Sequence, residues 1–167
     1  MAPFILSVRP LPDSQLDSDT LARRGVPALA APLLEPHLIA PTLPDDPSCY
    51  AGLIFTSRHA VDGFLAALGN GGPGGWAALP VFAVGRATAR VACAAGFSVK
   101  VTGHGGGSGL APLIHEHVDA GSLPLLWPAA RDRGFDMVAA LAPAISVEDI
   151  AVYAMARTPR LTDAALD

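Results

Sequence analysis

Short apolar runs of strand length give way to helical periodicity again and again between residues 50 and 154. "AGLIFTS", "LPVFAVG", "FSVKVTG" and "LPLLWP" each precede such a stretch, and "ISVEDIAVYAMA" supplies a last strand. These runs are apolar on both faces and alternate with helices, a pattern that predicts a parallel sheet covered on both sides. In the first predicted helix Val61, Phe64, Leu65 and Leu68 fall at i, i+3, i+4 and i+7, with Gly69 closing it. "RATARVACAAG" ends at Gly96, "LAPLIHEHV" places Leu110, Leu113, Ile114 and His117 on one face, and "RDRGFDMVAALA" reads as the last helix. The glycine-rich "GNGGPGG" reads as a flexible loop.

Upstream, "FILSV" and "PALAAPLLEP" read as strands on either side of "DSQLDSDTLARRG", a helix bracketed by Asp and Ser at its start and Gly25 at its end. The segment "PHLIAPTLPDDPSC" holds four prolines and reads as a connection with one short extended piece. A chain of 167 residues can bury one good core but is too short for two complete α/β domains. Its net charge of -4 provides no basic stripe for a nucleic acid, so an anionic ligand must be held by local groups. The N-terminal apolar run is too short for a signal-peptide core or a membrane span, which makes the expected location cytoplasmic, with no membrane partner. Cys49 and Cys93 lack metal-ligand or redox spacing and read as reduced thiols without chemistry.

In doubly wound sheets the ligand lies beyond the carboxyl ends of the strands. That singles out the loops "FTSRH", "AVGRAT", "TGHGGGSG" and "WPAARDR". They offer Thr56 and Ser57, Gly85 and Thr88, and Gly107, Ser108 and Gly109 where helices start, and the unpaired amides of a first helical turn attract anions. Thr56, Ser57 and Ser108 read equally well as ordinary N-caps. "TGHGGGSGL" lacks the lysine of a Walker loop, and GxGxxG fails in both registers, at Ser108 and at Leu110, which disfavours a nucleotide. His115 and His117 stand two apart and would point to different helix faces, so they do not form a metal pair.

The ordered motifs "LSVRP", "LARRGVPALAAPLLEP", "YAGLIFTSRHAVDGF", "VFAVGRATARVACAAGF", "GSGLAPLI" and "EDIAVYAMA" resemble the uroporphyrinogen-III synthase family over nearly the whole chain. The resemblance implies two flavodoxin-like α/β domains joined by a two-stranded linker, with the site in the cleft between them. It implies closure of hydroxymethylbilane, a linear tetrapyrrole with eight carboxylates, with loss of water and inversion of the last ring through a spiro intermediate. It implies no metal or organic cofactor, and hydroxymethylbilane synthase as the upstream enzyme of tetrapyrrole biosynthesis. Residues carried over are Arg9, Thr56, Ser57, Gly85, Thr88, Ser108, Arg133 and Tyr153, with Gly107 and Gly109 beside Ser108. Arg58 and Arg86 are cleft-edge candidates for carboxylates, or solvated arginines. Tyr153 is the candidate to assist departure of the hydroxyl; it reads as well as an aromatic that packs at the domain junction, and orienting the leaving group suits a phenol better than proton donation.

Ser7 replaces a threonine common in the family, and Trp127 with Pro128 stands where a glycine is usual, which blurs the register of Arg133. Residues 37–154 are expected to form one complete flavodoxin-like domain, a parallel sheet flanked by helices. Residues 1–36 and 155–167 would form part of an incomplete second α/β domain with the linker crossings. The chain would then stop where the family's first domain is completed, leaving it weak or inactive as an enzyme. A non-catalytic binding or regulatory module of the same fold is the alternative.

Overall fold

The computed structural model describes residues 4–158. The chain divides into two compact units, Leu38–Ala154 and a smaller one to which the described residues contribute 4–37 and 155–158. The smaller unit is a strand, helix, strand motif: β1 (Ile5–Ser7), α1 (Asp13–Arg23) and β2 (Ala28–Ala30), the strands parallel with Ile5 opposite Ala28. Asp13 in the first turn and Arg23 in the last complement the helix dipole. The helix docks through small hydroxyls: Ser18 Oγ donates to Ala28 O at 2.8 Å, and Ser7 Oγ donates to Asp17 at 2.8 Å. The described residues of this unit are too few to cover its apolar side chains, so Phe4, Ile5, Leu6, Val8, Leu16 and Leu34 stay exposed.

"PALAAPLLEP", expected to be one strand, is two. β2 ends at Ala30 and β3 (Leu34–Leu38) begins after Pro32, although Ala31 N and Leu33 N still donate to Ser7 O and Val8 O of the chain around β1. The connection after β3 contains one 3-10 turn, Pro47–Cys49, whose Asp46 carboxylate accepts from Ser48 N.

The larger unit is doubly wound. Its elements are β4 (Gly52–Phe55), α2 (Arg58–Leu68), β5 (Pro80–Val84), α3 (Gly85–Ala94), β6 (Ser98–Gly103), α4 (Gly107–His115), β7 (Leu125–Ala130), α5 (Met137–Leu141) and, up to Ala154, β8 (Val147–Arg157). The sheet runs β3-β8-β7-β4-β5-β6, and the pairs β4–β5, β5–β6, β4–β7 and β7–β8 are all parallel. This is the expected α/β class with a parallel sheet flanked by helices. Counted from β4, the order is 3-2-1-4-5, whereas the flavodoxin order is 2-1-3-4-5.

Strand alternation sends side chains to two cores. Ile54, Phe82, Leu125 and Trp127 pack with Leu110 and Ile114 of α4 and Met137 and Leu141 of α5. On the other face Phe55 meets Phe64 of α2 edge-on at 5.9 Å, and Phe64 meets Trp76 at 5.3 Å and 88°. Trp76 belongs to a 3-10 turn, Gly74–Ala78, that closes the predicted loop; a buried indole there ties down a segment whose glycines alone suggested mobility. Gly63 lets α2 lie directly on β8, since a Cβ at that position would stand 2.6 Å from Val152 O.

Two helical expectations are corrected. α4 ends at His115, and His117 is exposed with its imidazole against Leu113 O at 2.8 Å, outside the buried face. The last helix is only Met137–Leu141, because Asp136 adopts an extended backbone and caps it, accepting from Ala139 N at 3.0 Å. No helix among the described residues is long and apolar enough to cross a membrane.

Phe64 has no exposed surface and joins three aromatic rings. Phe64→Ala should therefore cost about 3–5 kcal/mol, read as a lower urea midpoint with Trp76 fluorescence as the probe.

Candidate functional site at the switch point

The winding of the larger unit reverses at β4: the chain goes from β4 to β5 and β6 on one side, then returns to β7 and β8 on the other. Loops leaving β4 and β7 therefore diverge, and a crevice opens between them at the carboxyl ends of the strands. A cavity of about 330 Å³ lies there, its walls including Thr56, Ser57, Trp127, Arg133, Phe135 and Tyr153.

Ser57 follows β4 with an extended backbone and N-caps α2, its Oγ accepting from Ala60 N at 3.1 Å. The same Oγ lies 2.9 Å from Tyr153 Oη, which β8 brings level with the end of β7, where Ala130 pairs with it. Behind the phenol, the buried imidazole of His59 packs at a ring distance of 5.8 Å. Burial holds the His59 pKa below the ordinary imidazole value, reinforced by the Arg58 charge and opposed by Asp62. Burial thus favours the uncharged ring.

Trp127 forms the floor. It is 2 % exposed and its Nε1 donates to Thr56 Oγ1 at 3.3 Å. Pro128 follows it inside β7 without disrupting the sheet: Leu125 N donates toward β8, so the nitrogen three residues on faces β4, whose ladder with β7 has ended at Leu126. The Arg133 guanidinium lies over the Trp127 ring, 4.7 Å from the centroid, and pairs with Asp149.

The glycine stretch serves the backbone. Gly106 starts α4 with φ +83°, a left-handed value that suits glycine. A Cβ on Gly107 would stand 2.4 Å from the Phe135 ring, and one on Gly109 only 1.7 Å from His104 O. Ser108 is exposed and donates to Gly105 O at 3.3 Å; it is not the N-cap.

The crevice thus collects Thr56, Ser57, Gly107, Arg133 and Tyr153 of the sequence candidates. Of the three N-cap candidates only Ser57 is one, because Thr56 precedes the cap and Ser108 sits within the first turn. Arg58, Gly85, Thr88, Ser108 and Gly109 do not line this cavity, and Arg86 lines another, between α3 and β6. Thr88 is buried in α3. Arg9 belongs to the smaller unit, where it pairs with Asp13 at 2.8 Å and Asp17 at 3.2 Å. Sequence reasoning missed Trp127, Phe135 and His59 as site residues; only the apolar run "LPLLWP" ending at the predicted edge pointed toward the first. Among the described residues no group of three or more His, Cys, Asp or Glu side chains could hold a metal ion.

The larger unit is thus a doubly wound α/β unit with a crevice at its switch point, the place where proteins of this architecture bind their ligands. More narrowly, the model of the family described as uroporphyrinogen-III synthase HemD matches residues 17–166, and the chain belongs to that family. No curated protein matches it. Among solved structures it is similar to a substituted uroporphyrinogen III synthase of Thermus thermophilus, with 19% identity and a TM-score of 0.63 over 95% of this chain and 64% of that one. The uroporphyrinogen-III synthetase of Helicobacter pylori gives 23% identity and a TM-score of 0.58 over 83% and 59%. The chain therefore spans less than two thirds of these proteins, and at such identities the likeness establishes the fold.

The lowered pKa of His59 has a signed consequence. Above its ordinary value of 6.5 both folded and unfolded states are neutral, and the full stability is present. As pH falls below that value the unfolded chain binds the proton first, so stability declines. Melting temperatures of the native protein should drop between pH 7 and pH 5 more steeply than those of His59→Gln, measured by calorimetry.

Proposed function

We propose that this chain serves the uroporphyrinogen-III synthase reaction, closing hydroxymethylbilane with inversion of its last ring and loss of water, and that by itself it turns over weakly. The observation that carries the reading is the Ser57–Tyr153 hydroxyl pair, 2.9 Å apart in the switch-point crevice of a chain from this family. Ser57 Oγ accepts the Ala60 amide, and its own proton can be donated to Tyr153 Oη. In that arrangement the phenol proton of Tyr153 is directed away from Ser57, toward the leaving hydroxyl of a bound substrate. The carbon–oxygen bond of the terminal hydroxymethyl group breaks with its electron pair going to oxygen, which takes a proton and departs as water, and ring closure at the pyrrole carbon releases a proton in return, so none is consumed overall. The neutral His59 ring behind the phenol holds its orientation without adding charge.

The substrate's carboxylates need donors at fixed places. Arg133, kept flat by Trp127 and steered by Asp149, offers a planar fork for one side arm. The Thr56 hydroxyl accepts from Trp127 and retains a proton to donate, while first-turn amides of α4 beside Gly107 serve another arm. Holding several arms selects which ring end reaches which, so positioning rather than acid strength carries the selectivity.

Tyr153→Phe should keep the fold, seen as a melting temperature lowered by no more than about 5 °C, and slow turnover by ~10²-fold. The readout is the amount and isomer of uroporphyrinogen formed from enzymatically supplied hydroxymethylbilane. Unchanged turnover in the variant would reduce Tyr153 to packing. Only the non-inverted isomer from the native chain would sink the synthase reading and leave a binding module.

A further inference from the structure

A second cavity, about 720 Å³, lies between α3 and the edge strand β6, lined by Arg86, Ala89, Arg90, Cys93, Thr102 and His104. It is separate from the switch-point crevice, with which it shares no lining residue. Its lining has two guanidinium groups and an imidazole but no carboxylate, in a chain whose net charge is -4.

Both arginines stand where the isolated helix would not favour them. Arg86 is in the first turn of α3, which has no acidic residue and no side-chain cap, so its charge adds to the positive end of the helix dipole. Arg90 follows at i+4, the spacing at which like charges repel by a few tenths of a kcal/mol. Arg9 and Arg133 form ion pairs and Arg23 donates to Thr20, whereas Arg24, Arg131 and Arg157 have no such partner among the described side chains. Arg86 and Arg90 make no ion pair or hydrogen bond with a described side chain. Four helical residues separate their α-carbons by about 6 Å along the axis. That spacing suits two separate planar acceptors, each taken by one fork, better than a single compact oxyanion.

We propose that the α3–β6 cavity is a binding site for a ligand bearing two carboxylates, with Arg86 and Arg90 each holding one and the Thr102 hydroxyl and His104 completing the wall. The proposal does not depend on the reading of the switch-point crevice. Two sources present this chemistry, a free aliphatic dicarboxylate and a pyrrole carrying an acetate and a propionate arm.

Cys93 in the wall and Cys49 elsewhere are both exposed thiols, which gives a built-in comparison. In the Cys49→Ser and Cys93→Ser proteins, each retaining one thiol, exchange is followed with an aromatic disulfide bearing carboxylates and with an uncharged pyridyl disulfide. Attack of the thiolate on one sulfur breaks the reagent's bond and releases an aromatic thiolate. Cys93 should prefer the anionic over the neutral reagent at least ~5-fold more than Cys49 does, an advantage of a nearby positive charge that salt screens. Succinate should slow the Cys93 reaction saturably at constant ionic strength and leave Cys49 unaffected, and Arg86→Gln with Arg90→Gln should abolish both effects. Stronger protection by the monopyrrole than by succinate assigns the site to pyrrole side arms, and the reverse assigns it to a free dicarboxylate. No reagent preference, protection no greater than equal ionic strength of sodium chloride, or equal protection by inorganic phosphate would overturn the proposal.

Discussion

Everything in the larger unit depends on the parallel pairing of β4 with β5 on one side and β7 on the other. A parallel strand cannot return to its neighbour by a tight turn, so each step needs a helix across one face. Starting in the middle, the chain must wind outward one way and then the other, which places α2 and α3 over one face and α4 and α5 over the opposite one. The two apolar cores, one of aromatic rings and one of mixed aliphatic residues with Trp127, are the result of that winding. So is the crevice: it exists because the loops after β4 and β7 have no reason to follow one another.

Within the crevice, polar groups are held by groups that are themselves held. Tyr153 is set by its strand, by Ser57 and by the face of His59; Arg133 by an indole plane and a carboxylate. Long flexible side chains would lose rotamer entropy on gripping a ligand, and these have lost part of it on folding. The Arg86 and Arg90 side chains of the α3–β6 cavity lack such support, which distinguishes a surface that waits for a ligand from one that is already shaped.

Much of this was legible in the chain. Apolar runs alternating with helical periodicity require a covered parallel sheet, and the carboxyl-edge rule then selects Thr56, Ser57 and the loop before Arg133. The rest depends on geometry that spacing does not encode. Trp127 read as a disturbance of the strand end, whereas the side on which β7 loses its partner makes Pro128 harmless and turns the indole into a floor. Phe135 came from a segment read as helix, because the cap at Asp136 competes with the helical pattern on its N-terminal side. The five glycines of "TGHGGGSGL" fit no phosphate-loop spacing; Phe135 and the His104 carbonyl are what come close to two of them. Cys93 and Arg90 drew no functional reading because a groove beside an edge strand leaves no periodic trace.

Gly63 shows how far a missing atom can reach. It sits nearly two turns down α2 from Ser57, and the carbonyl it nearly touches belongs to Val152, the neighbour of Tyr153. The bare backbone at that point is a spacer: it sets how closely α2 approaches β8, and so the distance across which two hydroxyls from different elements meet. A single methyl inserted there would act as a shim, tilting the helix away from the strand and parting Ser57 from Tyr153 without altering either residue.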